Sequence, residues 1–133
     1  MSTFTFTLSQ SRLNIRNTEF SVMSATEIVS IREFKRLDIR TGTVKEIEQI
    51  AGSDKLYKLQ VDMGDHTRQI ITGLVEYYKA DEIKGKVICV ICNLKPAKIF
   101  GNESNGMLLT AEKNGRLTLL TTEREVPNGS IVS

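Results

Sequence analysis

The 133 residues suit one domain with an extension, and 40% hydrophobic with 26% charged residues is the composition of an ordinary globular chain, which argues against disorder throughout. A formal net charge of +2 excludes a polycation that coats nucleic acid by charge alone, so any site for a polyanion must be a local patch. No apolar run approaches the roughly 20 residues of a membrane-spanning helix, and no membrane partner is expected.

Residues 1–24 differ in composition from the rest. Thr3, Thr5, Thr7, Ser9 and Ser11 alternate loosely with Phe4, Phe6 and Leu8, and Glu19 is the single acidic residue among Arg12 and Arg16. The stretch lacks the continuous apolar core and early positive charge of a secretory signal. It is expected to be a disordered or non-native extension, with Met23 as the natural start and the domain running over 25–133.

Ser30-Ile31-Arg32-Glu33 fits a capping box and predicts a short helix to about Arg36. Ile39, Thr41 and Thr43 alternate with Arg40, Gly42 and Val44, and the pattern continues through Ile47 and Ile50, which predicts a long first strand bent at Gly42. Ala51-Gly52-Ser53-Asp54 makes a turn. Leu56, Lys58 and Gln60 alternate with Tyr57, Leu59 and Val61 in a second strand, and Met63-Gly64-Asp65-His66 separates it from a third at Thr67–Leu74. Glu76–Ile83 is compatible with a helix closed by Gly85. Val87–Cys92 reads as a buried fourth strand rich in β-branched residues, and Met107–Ala111 as a fifth. Three strands, a helix and two strands is the order of the OB-fold, an all-β barrel with little helix whose curved face and flanking loops bind oligonucleotides. Asn114-Gly115 is a type I′ hairpin signal, with the return strand at Leu117–Thr122, and Val126–Val132 adds a turn and a last short strand.

Catalytic chemistry finds little support. The chain has one histidine, His66, no Walker-type phosphate loop and no glycine fingerprint ahead of a helix, so an enzyme in its own right and a bound cofactor are not expected. Asp62 and Asp65 bracket Gly64 as a β-turn would, without the further oxygen ligands of a metal loop. Cys89 and Cys92 have Cys-x-x-Cys spacing, but residues three apart on a strand point to opposite faces. Two buried free thiols in a reducing, cytoplasmic setting are the expectation.

The densest concentration of loop chemistry is Asn93-Leu94-Lys95-Pro96-Ala97-Lys98, followed by Ser104-Asn105-Gly106-Met107. Together they resemble the Asn-Leu-x-Pro-Ala-Lys and Ser-x-Gly-Met signatures of the tRNA-binding domain shared by methionyl-tRNA synthetase β-subunits, free-standing tRNA-binding proteins and the endothelial-monocyte-activating cytokines. Phe34–Gly42, Asp54–Gly64 and Arg68–Leu74 match further blocks of that family in the same order, so the resemblance covers about residues 27–132. One departure is Ile50-Ala51-Gly52, where that family often carries a His-Pro turn. The resemblance implies a non-catalytic tRNA-binding module on an OB-fold, in a chain too short to hold a synthetase catalytic domain as well. It implies a homodimer built by the C-terminal strands at about 113–133, and service in trans to a separate methionyl-tRNA synthetase. The alternative in the same fold is an export chaperone that binds unfolded chains.

The residues themselves allow two readings of the Lys95 and Lys98 loop, a solvated surface or a phosphate-binding one. In the binding reading Asn93, Ser104 and Asn105 offer hydrogen bonds to base edges or 2′-hydroxyls and Met107 a soft apolar surface. Arg40, Lys55 and Arg68 extend the basic track across the sheet if their strand register places them on that face. Phe34, Tyr57, Tyr77, Tyr78 and Phe100 are the aromatic residues available for stacking. Phe34 and Tyr57 are expected in the core, and Phe100 is either a stacking surface or a plug holding the loop to the barrel.

Overall fold

A computed structural model describes the backbone of residues 2–4 and 6–8 and all of residues 27–133. It divides into two units, Met1–Ile31 and Arg32–Ser133. In the first, β1 (Ser2–Phe4) and β2 (Phe6–Leu8) pair antiparallel. The expectation of a disordered or non-native extension otherwise falls on residues outside those described.

α1 (Ile31–Phe34) starts one residue after Ser30 and leads through two turns to the second unit's long strand, β3 (Ile39–Gln49). β4 (Tyr57–Asp62) and β5 (Thr67–Thr72) complete a meander in which every second residue of β4 is buried: Tyr57, Leu59 and Val61 face the core. That period of two was the sequence signal. α2 (Ala80–Ile83) is shorter than the predicted helix because residues 75–77 form a turn ahead of it. The Glu82 carboxylate accepts from the Lys79 backbone N–H at its start (2.7 Å), and Gly85 ends it at φ 87°.

β6 (Val87–Ile91) then pairs with the first half of β3, while β4 pairs with the second half. After β7 (Ala97–Ile99) and β8 (Asn102–Ser104), β9 (Met107–Leu108) adds to β6, giving the order β5-β4-β3-β6-β9. This is the predicted five-stranded OB-fold barrel. β10 (Thr110–Lys113) and β11 (Arg116–Leu119) form a separate hairpin through Asn114 and Gly115, at φ 53° and 76°, the I′ signature. β12 (Ile131–Val132) pairs with β3 at Ile39 and Arg40.

Three expectations change. The irregularity in β3 lies at Lys45, the extra residue between the Val44 and Glu46 pairings with β4, and Gly42 sits in regular register with Ile88. Glycine is needed at 42 for room, since a Cβ there would lie 2.7 Å from Met63 Sδ and from Val61 Cγ1. Phe34 is not core: 38% of it is exposed, because α1 buries none of its residues. The fifth strand breaks at Leu109, whose N–H turns to Cys89 O, so that β10 leaves the barrel to pair with β11.

The core is built around Leu59, Val61, Ile70, Ile83, Ile88 and Val90, with Tyr57 buried and its hydroxyl donating to Tyr78 O at 2.7 Å. Cys89 and Cys92 are free and buried, and only Cys92 belongs to the central cluster. Burial raises both thiols above their ordinary range, with nearby Arg68 opposing the rise at Cys92. Between the thiol pKa of the unfolded chain, about 8.5, and the raised folded value, the folded state binds more protons. This contribution is therefore complete below about pH 8.5 and is lost as pH rises past it. A thiol reagent at pH 8 is expected to label the native chain slowly and both cysteines at once in urea; rapid native labelling would contradict their burial. No helix among the described residues is long and apolar enough to cross a membrane.

Candidate functional site

Barrel closure brings the start of β3, the start of β5 and the end of β6 to one mouth, where Arg40 and Arg68 meet. Both line a cleft of about 430 Å³ with Asp38, His66, Cys92 and Asn128. Arg40 Nε donates to Asp38 Oδ1 at 2.8 Å and its Nη1 to Gly129 O at 3.4 Å. The Asp38 bond and charge raise the Arg40 pKa further, so this group is a permanent cation. Arg68 Nη1 donates to Cys92 O (3.0 Å) and to both the backbone and side-chain oxygens of Asn105 (3.3 and 3.4 Å).

Arg68 Nε also donates to His66 Nε2 at 3.0 Å. A guanidinium can only donate, which makes Nε2 the acceptor and assigns the ring proton to Nδ1. From there it is donated to Asp65 Oδ1 at 2.6 Å, holding the Asp65 carboxyl below its usual range. Each arginine thus has its Nε and Nη1 tied down, and neither Nη2 has a protein partner among the described residues. Two guanidinium forks are fixed in place with a face left to donate, a geometry suited to oxyanions.

The lysine segment is not the open loop expected between the fourth and fifth strands. It is the hairpin β7–β8, closed by Phe100 and Gly101 at φ 51° and 76°. Gln69 Nε2 donates to Glu103 O (2.8 Å) and Lys58 Nζ to Asn102 Oδ1 (3.3 Å), so β5 and β4 hold the hairpin. Lys95 and Lys98 are exposed and have no ion-pair partner among the described residues. Asn105 is exposed beside Arg68, and Met107 is 55% exposed on β9.

Two predicted binding groups are engaged within the protein. Asn93 Oδ1 accepts from Asp38 N (2.8 Å) and its Nδ2 donates to Arg36 O (2.6 Å), which fixes the segment entering β3. Ser104 is 5% exposed; its hydroxyl accepts from Ile71 N (3.0 Å) and donates to Gly106 O (3.3 Å), anchoring the hairpin to β5. Ser104 is buried and is not presented to a ligand, whereas Asn93 is held by these two bonds and remains exposed. Lys55 stands apart. It is exposed in the turn before β4, with the length of that strand, about 20 Å, between it and the arginine cleft.

His66, as the acceptor that aims Arg68, was missed in the sequence. Nothing in a turn histidine signals that role. Lys58, which reaches Asn102 and lies 3.8 Å from Glu48 Oε2, was legible as an outward position of β4. The Asp62–Asp65 segment is the expected turn, with Asp62 Oδ1 accepting from Gly64 N. Among the described residues no group of three or more His, Cys, Asp and Glu side chains could hold a metal ion.

Comparison with known proteins bears on the fold and the family. Residues 39–131 match the family model described as "Putative tRNA binding domain". The chain is 49% identical over 110 residues to a methionine–tRNA ligase of Archaeoglobus fulgidus, covering 83% of this chain and 17% of the ligase, so it spans about a sixth of that relative's length. Among solved structures it is similar to a MetRS-related protein from Pyrococcus horikoshii, with a TM-score of 0.78 and 38% identity over 81% of this chain and all of that one. It also resembles the chaperone CsaA from Bacillus anthracis, with a TM-score of 0.72 and 25% identity over 80% of this chain and all of that one.

Proposed function

Because this chain belongs to the tRNA-binding domain family, we propose that it binds structured tRNA and catalyses no reaction itself, docking the RNA on the barrel mouth and the adjoining hairpin. The observation that carries this reading is the pair of guanidinium groups at Arg40 and Arg68, fixed by Asp38, His66 and backbone oxygens with each Nη2 left to donate. The exposed Lys95 and Lys98 add charge on the adjoining hairpin segment, and Asn105 and Met107 short-range contacts.

The proposal includes service in trans to a separate methionyl-tRNA synthetase, for which a second binding event raises the local tRNA concentration, in a cytoplasmic setting that suits the two free thiols. It also includes a homodimer. Among the C-terminal strands, the β10–β11 hairpin and the side of β12 turned away from β3 keep strand edges that a second copy could pair with. The second reading, a chaperone that binds unfolded chains, is favoured by the likeness to CsaA alone.

One experiment separates them. Sedimentation of the purified protein with total tRNA, across a salt series and against duplex DNA and an unfolded protein as competitors, reads affinity and mass together. Four phosphate contacts predict a slope of log K on log salt of about −3, with tRNA preferred over the duplex and a mass of two chains in the free protein. Capture of the unfolded protein without tRNA binding at low salt would replace this reading with the chaperone one, and a single-chain mass would remove the dimer.

A further inference from the structure

Phe100 combines two unfavourable features. It is a bulky residue at φ 51°, in the left-handed region where asparagine or glycine is the usual occupant of a type I′ turn, and 61% of it faces water. At that exposure it is not a buried plug holding the hairpin to the barrel. Its backbone is nevertheless held: Asn102 Nδ2 donates to Phe100 O at 2.9 Å while Asn102 Oδ1 accepts from Lys58 Nζ. The ring borders a notch of about 220 Å³ whose other walls are Ile50 and Ala51 of the β3–β4 turn, Lys58, Asn102 and Glu48.

We propose that this notch takes one unstacked nucleobase of the RNA, with Phe100 as its stacking surface. The inference rests on the tRNA-binding reading and adds to it a contact that is neutral and separate from the arginine cleft. An aromatic face beside Ile50 and Ala51, with polar groups of Lys58 and Asn102 at the edge, suits a flat ring with a polar rim. The Glu48 carboxylate lies 3.8 Å from Lys58 Nζ, so the two charges offset each other and the notch offers a phosphate no net attraction. Local strain retained at an exposed position is the pattern of a residue kept for binding at the expense of stability.

The chain has three tyrosines and no tryptophan, so Phe100→Trp introduces a single tryptophan at the notch that can be excited selectively. Titration of that variant with total tRNA is expected to quench its emission to saturation. Phe100→Asn relieves the backbone strain, so its thermal midpoint is expected to equal or exceed that of the parent. Its tRNA affinity is expected to fall roughly 5- to 150-fold, the loss of one stacked base. Its salt slope is expected to stay the same, because no phosphate contact is removed.

Unchanged affinity in Phe100→Asn, or an unquenched Phe100→Trp at saturating tRNA, would overturn this proposal and leave tRNA binding intact. A shallower slope in Phe100→Asn would overturn it too, by showing that a phosphate contact had been lost. If the unmodified protein bound no tRNA, both readings would fall, and quenching of Phe100→Trp by an unfolded protein would then assign the notch to protein docking.

Discussion

Gly106→Ala is expected to cost about 2–3 kcal/mol of folding stability, read as a lower urea midpoint with an unchanged m-value. Gly106 has φ 118°, which L side chains rarely adopt, and an added Cβ would lie 2.8 Å from Ile91 O and 3.3 Å from Val90 Cγ1. The first of these is backbone of β6, held between β3 and β9 through the Ile39 and Met107 pairings, and cannot retreat without opening the sheet. Strain and clash therefore act together. The carbonyl of Gly106 also accepts from Ser104, whose hydroxyl satisfies Ile71 N, so displacement of residue 106 loosens the attachment of the β7–β8 hairpin to β5. The neighbouring Asn105 supplies two of the Arg68 acceptors, and tRNA affinity is expected to fall with stability. An unchanged midpoint would mean that the segment does not pass this close to β6.

The same segment shows where a sequence can and cannot be read. The Ser-x-Gly-Met spacing pointed to this place, yet periodicity carries no information about which of its polar atoms face inward. Ser104 turned from an expected RNA contact into a buried anchor because β8 lies against β5, a packing between residues more than thirty apart. Asn93 is tied to Arg36 and Asp38 by a similarly long-range pairing, because β6, which it follows, lies next to β3. Elements set by local rules were legible: alternation placed β4, the Met63–His66 turn placed the start of β5, and Asn114-Gly115 placed the β10–β11 turn. The β7–β8 hairpin escaped notice because its turn carries Phe100 where the usual I′ signal has asparagine. The arginine cleft escaped as a unit because it exists only once the barrel closes. Arg40 and Arg68 are separated by a whole strand and turn, and register decides whether they share a mouth.

That shared mouth is the basis for the second large effect. Arg68→Met, which keeps much of the side chain's length and removes its charge, is expected to weaken tRNA binding by about 1.5–3 kcal/mol, roughly 10- to 150-fold. It is also expected to make the salt slope shallower by about 1. Arg68→Lys separates charge from shape. An ammonium restores the counterion count and hence the slope, but it cannot hold His66, Cys92 O and Asn105 while also presenting a flat donor face, so affinity is expected to stay below that of the parent. The structural part of the loss is checked independently. The methionine variant leaves the carbonyl of buried Cys92 without this donor, and that cost of about 1–3 kcal/mol is expected in urea denaturation without RNA, where the lysine variant recovers part of it. If both variants bound tRNA like the parent with the parent's slope, Arg68 would be a strut of the barrel mouth alone. The phosphate contacts would then have to be assigned to Arg40, Lys95 and Lys98.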